Sequence, residues 1–350
     1  MALASSYAAD CTSESDRNVG IGWFHGSMFF GFAAGPMFGG FIGMSGGPMV
    51  IFYTALAMRV MGILFLIFFV PESFPDQSEH ATSITSSVKQ YFDKTRQQSW
   101  MENLKGANPL QIFAAKNVSK KRVRRNLIAL ASVNTIMFGA FMGAMNVMLL
   151  YSEFIFGWGN KQSGVFLSTV NLFRTLATVL VLPLAIRFLK RYFKPARQST
   201  PSKCNCPETG SFDGLDVFLI RISILSDIVG YVGYAIAPTG ALFTLSGAVA
   251  ALGAIGLATS EASMTKIVGT EQTGELLGAL GFLQAMARII APTVASLTYS
   301  RTVSSTPALV FWGVAICFAA AGTATFWVEP DRGSGMYGNE EAVPLQARDQ

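Results

Sequence analysis

Inside otherwise apolar stretches of this chain stand four arginines and one aspartate: Arg59, Arg174, Arg221, Arg288 and Asp227. A charge at the middle of a membrane helix costs about 2.5–3.5 kcal/mol on insertion scales, so such residues are kept where they do chemistry or pair with one another. Arg59 precedes Glu72 by 13 residues, Arg174 precedes Arg187 by 13, Arg288 follows Glu275 by 13 and Asp227 follows Asp216 by 11. At 1.5 Å per residue these four lie roughly 16–20 Å from one boundary, close to a bilayer midplane. Arg221, about a turn and a half inside, reaches water along its stem and reads as an anchor. Polar neighbours at helical spacing mark two patches, Asn171 with Arg174 and Gln284 with Arg288, and Asn134 is a third candidate. If Asp227 neutralises Arg174 as a charge pair, Arg288 is left to face a cavity with Gln284 and to meet an anionic or carboxylate-bearing molecule. His25, near the end of its stretch, reads as a polar interfacial residue rather than a proton relay.

The elements that must hold these residues follow from composition. The chain is 51% hydrophobic and 13% charged, with 28 Phe and 15 Met, and its mean hydropathy is positive. That is an integral, multi-pass membrane protein. Apolar spans run roughly over 21–43, 49–70, 127–150, 163–186, 216–237, 241–263, 276–298 and 308–328. Each matches the roughly 20 residues that cross a hydrocarbon core as a helix, and the fold class is all-α with no strands. Basic residues gather in alternate gaps, with only Lys161 and Arg301 on the other side. By the positive-inside rule both chain ends are cytoplasmic, and the Asn117-x-Ser119 sequon faces the cytoplasm. The net charge of +5 therefore reports topology, and nucleic acid is excluded as a partner. Cys11, Cys204, Cys206 and Cys317 give no disulfide framework, and Cys204-x-Cys206 without a nearby histidine reads as two loop thiols rather than a metal site. No Walker loop, H-E-x-x-H or nucleophile elbow is present, so neither an enzyme nor a cofactor is indicated.

The polar segment from Glu72 to Asn126 separates two spans from the six that follow. Its stretch Val88 to Leu104 alternates aromatic with basic and polar residues, suited either to an interfacial helix or to a linker. Residues 1–20 resemble the tail of an earlier helix and its loop. No secretory signal is visible.

The first span carries Gly22, Gly31, Gly35, Pro36, Gly39 and Gly40. Gly31, Gly35 and Gly39 form a small-xxx-small stripe suited to close helix approach, and Pro36 bends the helix. Shifted by 256 residues, the same positions fall on Gly278, Ala287, Ala291, Pro292, Ala295 and Ser296. Small residues land on small residues and proline on proline, an internal repeat of the kind transporters carry. The first set resembles, position for position, the fifth-helix antiporter motif of the major facilitator superfamily. Phe156-Gly157-Trp158 and Thr273-Gly274-Glu275-Leu276-Leu277-Gly278-Ala279-Leu280 are similar, more weakly, to its tetracycline-resistance and hippocampus-abundant-transcript branch. The resemblance implies a major-facilitator-type bundle in which the present spans are helices five to twelve of twelve, with an amino-terminal truncation. It divides the chain into the end of an amino-terminal bundle (1–71), a central cytoplasmic loop (72–126), a six-helix carboxy-terminal bundle (127–328) and a cytoplasmic tail (329–350). It further implies a secondary active transporter working by alternating access around a central cavity, with a small-molecule substrate, the lipid bilayer and a coupling proton as partners. A truncated, non-transporting membrane protein is the alternative. Reporters fused within 72–126 or 187–214 should be cytoplasmic, and one within 157–162 should face away; glycosylation of an acceptor engineered into 72–126 would sink this topology.

Overall fold

The computed structural model describes residues 2–13, 16–69, 121–193, 214–268 and 272–328, and every regular element among them is helical. In chain order these are α1 (Ala2–Asp10), α2 (Arg17–Phe69), α3 (Lys121–Phe156), α4 (Asn160–Leu176), a π-helical segment (Ala177–Val181), α5 (Leu182–Phe193), α6 (Gly214–Ile236), α7 (Gly240–Ala250), α8 (Gly253–Val268), α9 (Thr273–Thr302) and α10 (Leu309–Ala324), closed by a 3-10 turn (Thr325–Trp327). The interfacial segment Val88 to Leu104, the sequon, Cys204 with Cys206 and the tail lie outside the described residues.

Among the described residues six stretches are long and apolar enough to cross a membrane: Met49–Phe69, Val123–Phe156, Asn160–Leu189, Gly240–Val268, Thr273–Thr302 and Leu309–Trp327. The other two expected spans are helical as well, one inside α2 and the other as α6, which carries Asp216, Arg221 and Asp227. The two spans of α2 are separated at Gly47, whose φ of 73° and ψ of 178° only glycine adopts without strain. The break between the two spans is therefore at Gly47. The expected span 241–263 is interrupted by a turn at Ala251 and Leu252 between α7 and α8. Gly157, at φ 62°, reverses the chain between α3 and α4. Phe156 and Trp158 on either side of it join Tyr151, Phe166, Tyr234, Phe243 and Phe311 in an aromatic cluster, with Tyr234 and Phe243 centroids 4.6 Å apart.

Close packing comes from small residues, but not from the stripe that the sequence advertised. A Cβ added at Gly31, Gly35, Gly39 or Gly40 would meet nothing within 4 Å among the described residues. On α2 the tight contact lies nearer the start: a Cβ at Gly22 would stand 2.6 Å from Leu182 Cδ2, and one at Gly26 2.5 Å from Val179 Cγ2, both in or beside the π segment. The repeat-related stripe on α9 does pack. Ala287 and Ala291 lie on Gly139 and Gly143 of α3, a Gly-x-x-x-Gly pair that the sequence reading passed over, and a Cβ at Gly143 would come within 3.0 Å of the Ala291 carbonyl oxygen. Pro292, inside α9, lacks the amide that would otherwise bond the Arg288 carbonyl. By contrast Met49–Phe69 is unburied along its whole length, a surface that lipid satisfies and water does not.

Gly143→Val should lower the thermal stability of the purified protein by an overpacking cost of about 1–3 kcal/mol. Gly278→Val, where an added Cβ meets nothing, should unfold with the unsubstituted chain; equal melting of the two variants would remove the close-approach argument.

Candidate functional site

Polar side chains from four helices converge within the core. Asn134 of α3 is fully buried; its amide nitrogen donates to Ser260 Oγ at 2.9 Å and to the Leu257 carbonyl at 3.2 Å. Its carbonyl oxygen accepts from Gln284 Nε2 of α9 at 3.0 Å. Two residues singled out from the sequence on separate spans thus touch, and they tie α3 and α9 to α8. A buried amide pair of this kind is required to find such partners, because apolar surroundings offer none.

Next to Ser260 stands Glu261, which the sequence reading overlooked. Its Oε2 lies 2.9 Å from Nε2 of His25, and both side chains are buried, at 5% and 3% exposure. The expectation that His25 sits at an interface is therefore corrected: the ring is enclosed and joins α2 to α8. Gln284, His25 and Glu261 line one water-sized cavity with Ser5 of α1. Glu261 was findable by the criterion applied to Asp227, since it is an acid within the apolar stretch that ends before Lys266.

One turn further along α2, Phe29 packs edge-on to Phe141 of α3, with centroids 5.7 Å apart. Arg174 of α4 places its guanidinium 4.3 Å from the Phe141 ring centre and 5.7 Å from that of Phe29. A desolvated cation over an aromatic face gains about 2 kcal/mol. Arg174 is buried, and it shares a second water-sized cavity with Asp227 of α6, Met137, Phe141, Gly253 and Phe318. Among the described residues the ion pairs within 4.0 Å are His25 with Glu261 and Lys266 with Asp216; Arg174 and Asp227 face a common cavity without closing to that distance. Gly253 is where α8 lets the Asp227 carboxylate in, since an added Cβ would overlap it. Asn171 is buried and donates to the Leu167 carbonyl of its own helix at 2.8 Å, leaving its carbonyl oxygen without a partner among the described residues. The π segment follows directly, and Thr178 Oγ1 donates to the Arg174 carbonyl at 3.0 Å. π turns of this kind recur at functional sites.

Arg288 departs from its expected place. Its side chain is exposed and lies over Phe138 with the guanidinium carbon 5.5 Å from the ring centre, so it does not share the Gln284 cavity. Arg59 is exposed on the second half of α2. Arg221 donates to the Thr325 carbonyl at 3.0 Å and covers Phe326.

A separate polar cluster joins the ends of α2, α6 and α8. Asn18 donates to Asp216 Oδ1 at 2.7 Å, Lys266 pairs with Asp216 Oδ2 at 2.9 Å, and Arg17 donates to the Thr265 carbonyl at 3.2 Å. Asp216 in a first turn and Lys266 in a last turn each also suit the helix dipole.

The profile of the Major Facilitator Superfamily matches residues 1–199. The chain belongs to the Major Facilitator Superfamily. It is 25% identical over 309 residues to the MFS-type transporter avaJ of Aspergillus versicolor, covering 88% of this chain and 57% of that one. It is 22% identical to the class C tetracycline resistance protein of Escherichia coli, covering 87% and 64%. Its fold matches the crystal structure of the human organic anion transporter MFSD10 (TETRAN) with a TM-score of 0.64 at 19% identity, covering 93% of this chain and 67% of that one. The chain thus spans 57% of the avaJ transporter's length. The superfamily is one of membrane transporters, and this member is an integral multi-pass membrane protein.

Asn134→Ala strips Gln284 of its acceptor and should cost about 1 kcal/mol, the scale of hydrogen bonds between membrane helices. Adding Gln284→Leu should return part of that loss in a double-mutant cycle followed by thermal unfolding. Strict additivity of the two changes would show that the amides do not interact.

Proposed function

We propose that this chain forms the larger part of a secondary active transporter for small molecules, coupled to a proton gradient and working by alternating access. Residues 1–71 are assigned to one bundle and 127–328 to the other, with 72–126 as the cytoplasmic loop between them. The observation that carries the reading is the run of buried polar groups, His25, Glu261, Gln284, Asn134 and Ser260, linking α2 of the first unit to α3, α8 and α9 of the second. Groups like these are expensive inside a membrane and are retained where solute or ions pass. The superfamily match supports the transporter class.

Asn134, Asn171, Arg174, Gln284 and Arg288 are the proposed substrate-contacting residues. Arg174 and Asp227 are the proposed charge pair, closing across their common cavity in one conformation and parting in the other. Gly22, Gly31, Gly35, Pro36, Gly39 and Gly40, with Ala291 and Pro292 in the repeat, are the proposed helix-approach motif, of which Gly22 and Ala291 are the members closely faced among the described residues. Two arginines over aromatic rings suit a flat organic anion, in keeping with the transported class named for MFSD10.

The test is uptake by the chain reconstituted in liposomes, with fluorescein and tetracycline as probes under an imposed pH gradient. Accumulation should collapse on adding a protonophore. Arg288→Gln should reduce fluorescein uptake at least about 10-fold, a transition-state loss near 1.4 kcal/mol, while leaving thermal stability unchanged. Absence of uptake of both probes under either gradient direction would sink the reading.

A further inference from the structure

The buried His25–Glu261 pair is asymmetric. Nε2 of His25 is 2.9 Å from the carboxylate, but Nδ1 is buried with no hydrogen-bond partner among the described residues. A neutral imidazole that donates from Nε2 presents a bare lone pair at Nδ1. In that form the pair carries one net negative charge inside the protein, where an uncompensated charge is costly. A proton taken from hydronium forms the Nδ1–H bond, releases water and leaves an imidazolium against a carboxylate with no net charge. The pocket admits little else: its water-sized cavity is lined by Ser5, Phe24, Leu280 and Gln284 around the pair. Phe24 meets the imidazole edge-on at 5.7 Å and Phe29 tilts over it at 6.4 Å.

No other charge lines that cavity among the described residues. Of the charged and titratable groups on the surrounding elements, Arg17 is held by the Thr265 carbonyl, and Lys266 and Asp216 hold each other. Arg221 is held by the Thr325 carbonyl. Arg174 lies against Phe29, and Asp227 lines the second cavity with it. Arg124 and Arg125 on α3 and Glu275 and Arg288 on α9 are exposed, and Tyr7 on α1 is half-buried.

We propose that His25 and Glu261 form the proton-binding site of this transporter, with the proton entering at His25 Nδ1 and locking α2 to α8. The site rests on the proton-coupled reading above and supplies its residues. With the proton bound, the charge-assisted hydrogen bond holds the two helices together. With the proton released, the contact is weakened and α2 is freed to move relative to α8.

The chain has two histidines, His25 and His80, so 15N-histidine labelling of the full chain in lipid nanodiscs, with His80→Gln for assignment, isolates the ring by NMR. His25 should carry its proton on Nε2 alone before, and on both nitrogens after, the nanodiscs are acidified across the span in which histidine charge changes are read. In Glu261→Gln the gain at Nδ1 should be lost over that span. An Nδ1 that stays bare in the unsubstituted chain overturns the proposal, and so does a Glu261→Gln ring that gains its proton unchanged. The uptake assay separates the two readings: proton-driven accumulation surviving in His25→Gln overturns the site and spares the transporter, whereas protonation at Nδ1 without uptake of either probe does the reverse.

Discussion

A polar group enclosed by apolar helices has no water to fall back on, so its partner must come from another part of the chain. That requirement organises this protein. Asn134 is met by Gln284 and Ser260, His25 by Glu261, and Arg174 by the faces of two phenylalanines. All but the Arg174–Phe141 contact, which joins consecutive helices, link helices far apart in sequence, and together they fix which face of α2, α3, α4, α8 and α9 turns inward. The apolar residues between them are interchangeable by comparison, since one aliphatic surface packs on another without direction.

Such short polar contacts demand that backbones come close, and small residues permit it. The Gly139 and Gly143 pair on α3 receives Ala287 and Ala291 of α9, which places Gln284, one turn before Ala287, within reach of Asn134. Gly22 and Gly26 likewise bring α2 onto the π segment, and His25 sits between them in sequence, turned toward α8. Packing and chemistry are therefore two aspects of the same arrangement.

Much of this was legible in the sequence, unevenly. The spans were readable because apolar length has a direct physical meaning in a bilayer. Asn134, Gln284, Arg174 and Asp227 were readable as candidates because their cost inside a span is high wherever they point. Direction was not readable: Arg288 follows Gln284 by one turn, yet it is exposed over Phe138. His25 was misjudged because its partner lies 236 residues away, and an isolated histidine near a helix end looks interfacial until the carboxylate is seen. The glycine stripe announced close approach but not its location, since Gly31 and Gly35 meet nothing within 4 Å among the described residues while Gly22 and Gly26 are tightly faced.

The π segment from Ala177 to Val181 has a further geometric consequence. A π turn holds about one residue more than an α turn, and one residue is about 100° of rotation. Leu182, which seals Gly22, therefore lies on a different meridian from the one an unbroken α-helix through Arg174 would give it. Helical-wheel projections drawn across residues 160–193 consequently mislabel the inward face of everything after Thr178. A deletion of one residue within 177–181 that closes the π turn takes out the extra residue and so leaves Leu182 near its present meridian over Gly22, whereas closing the turn at full length swings Leu182 away from that glycine by about 100°, with the guanidinium of Arg174 upstream keeping its azimuth in both cases.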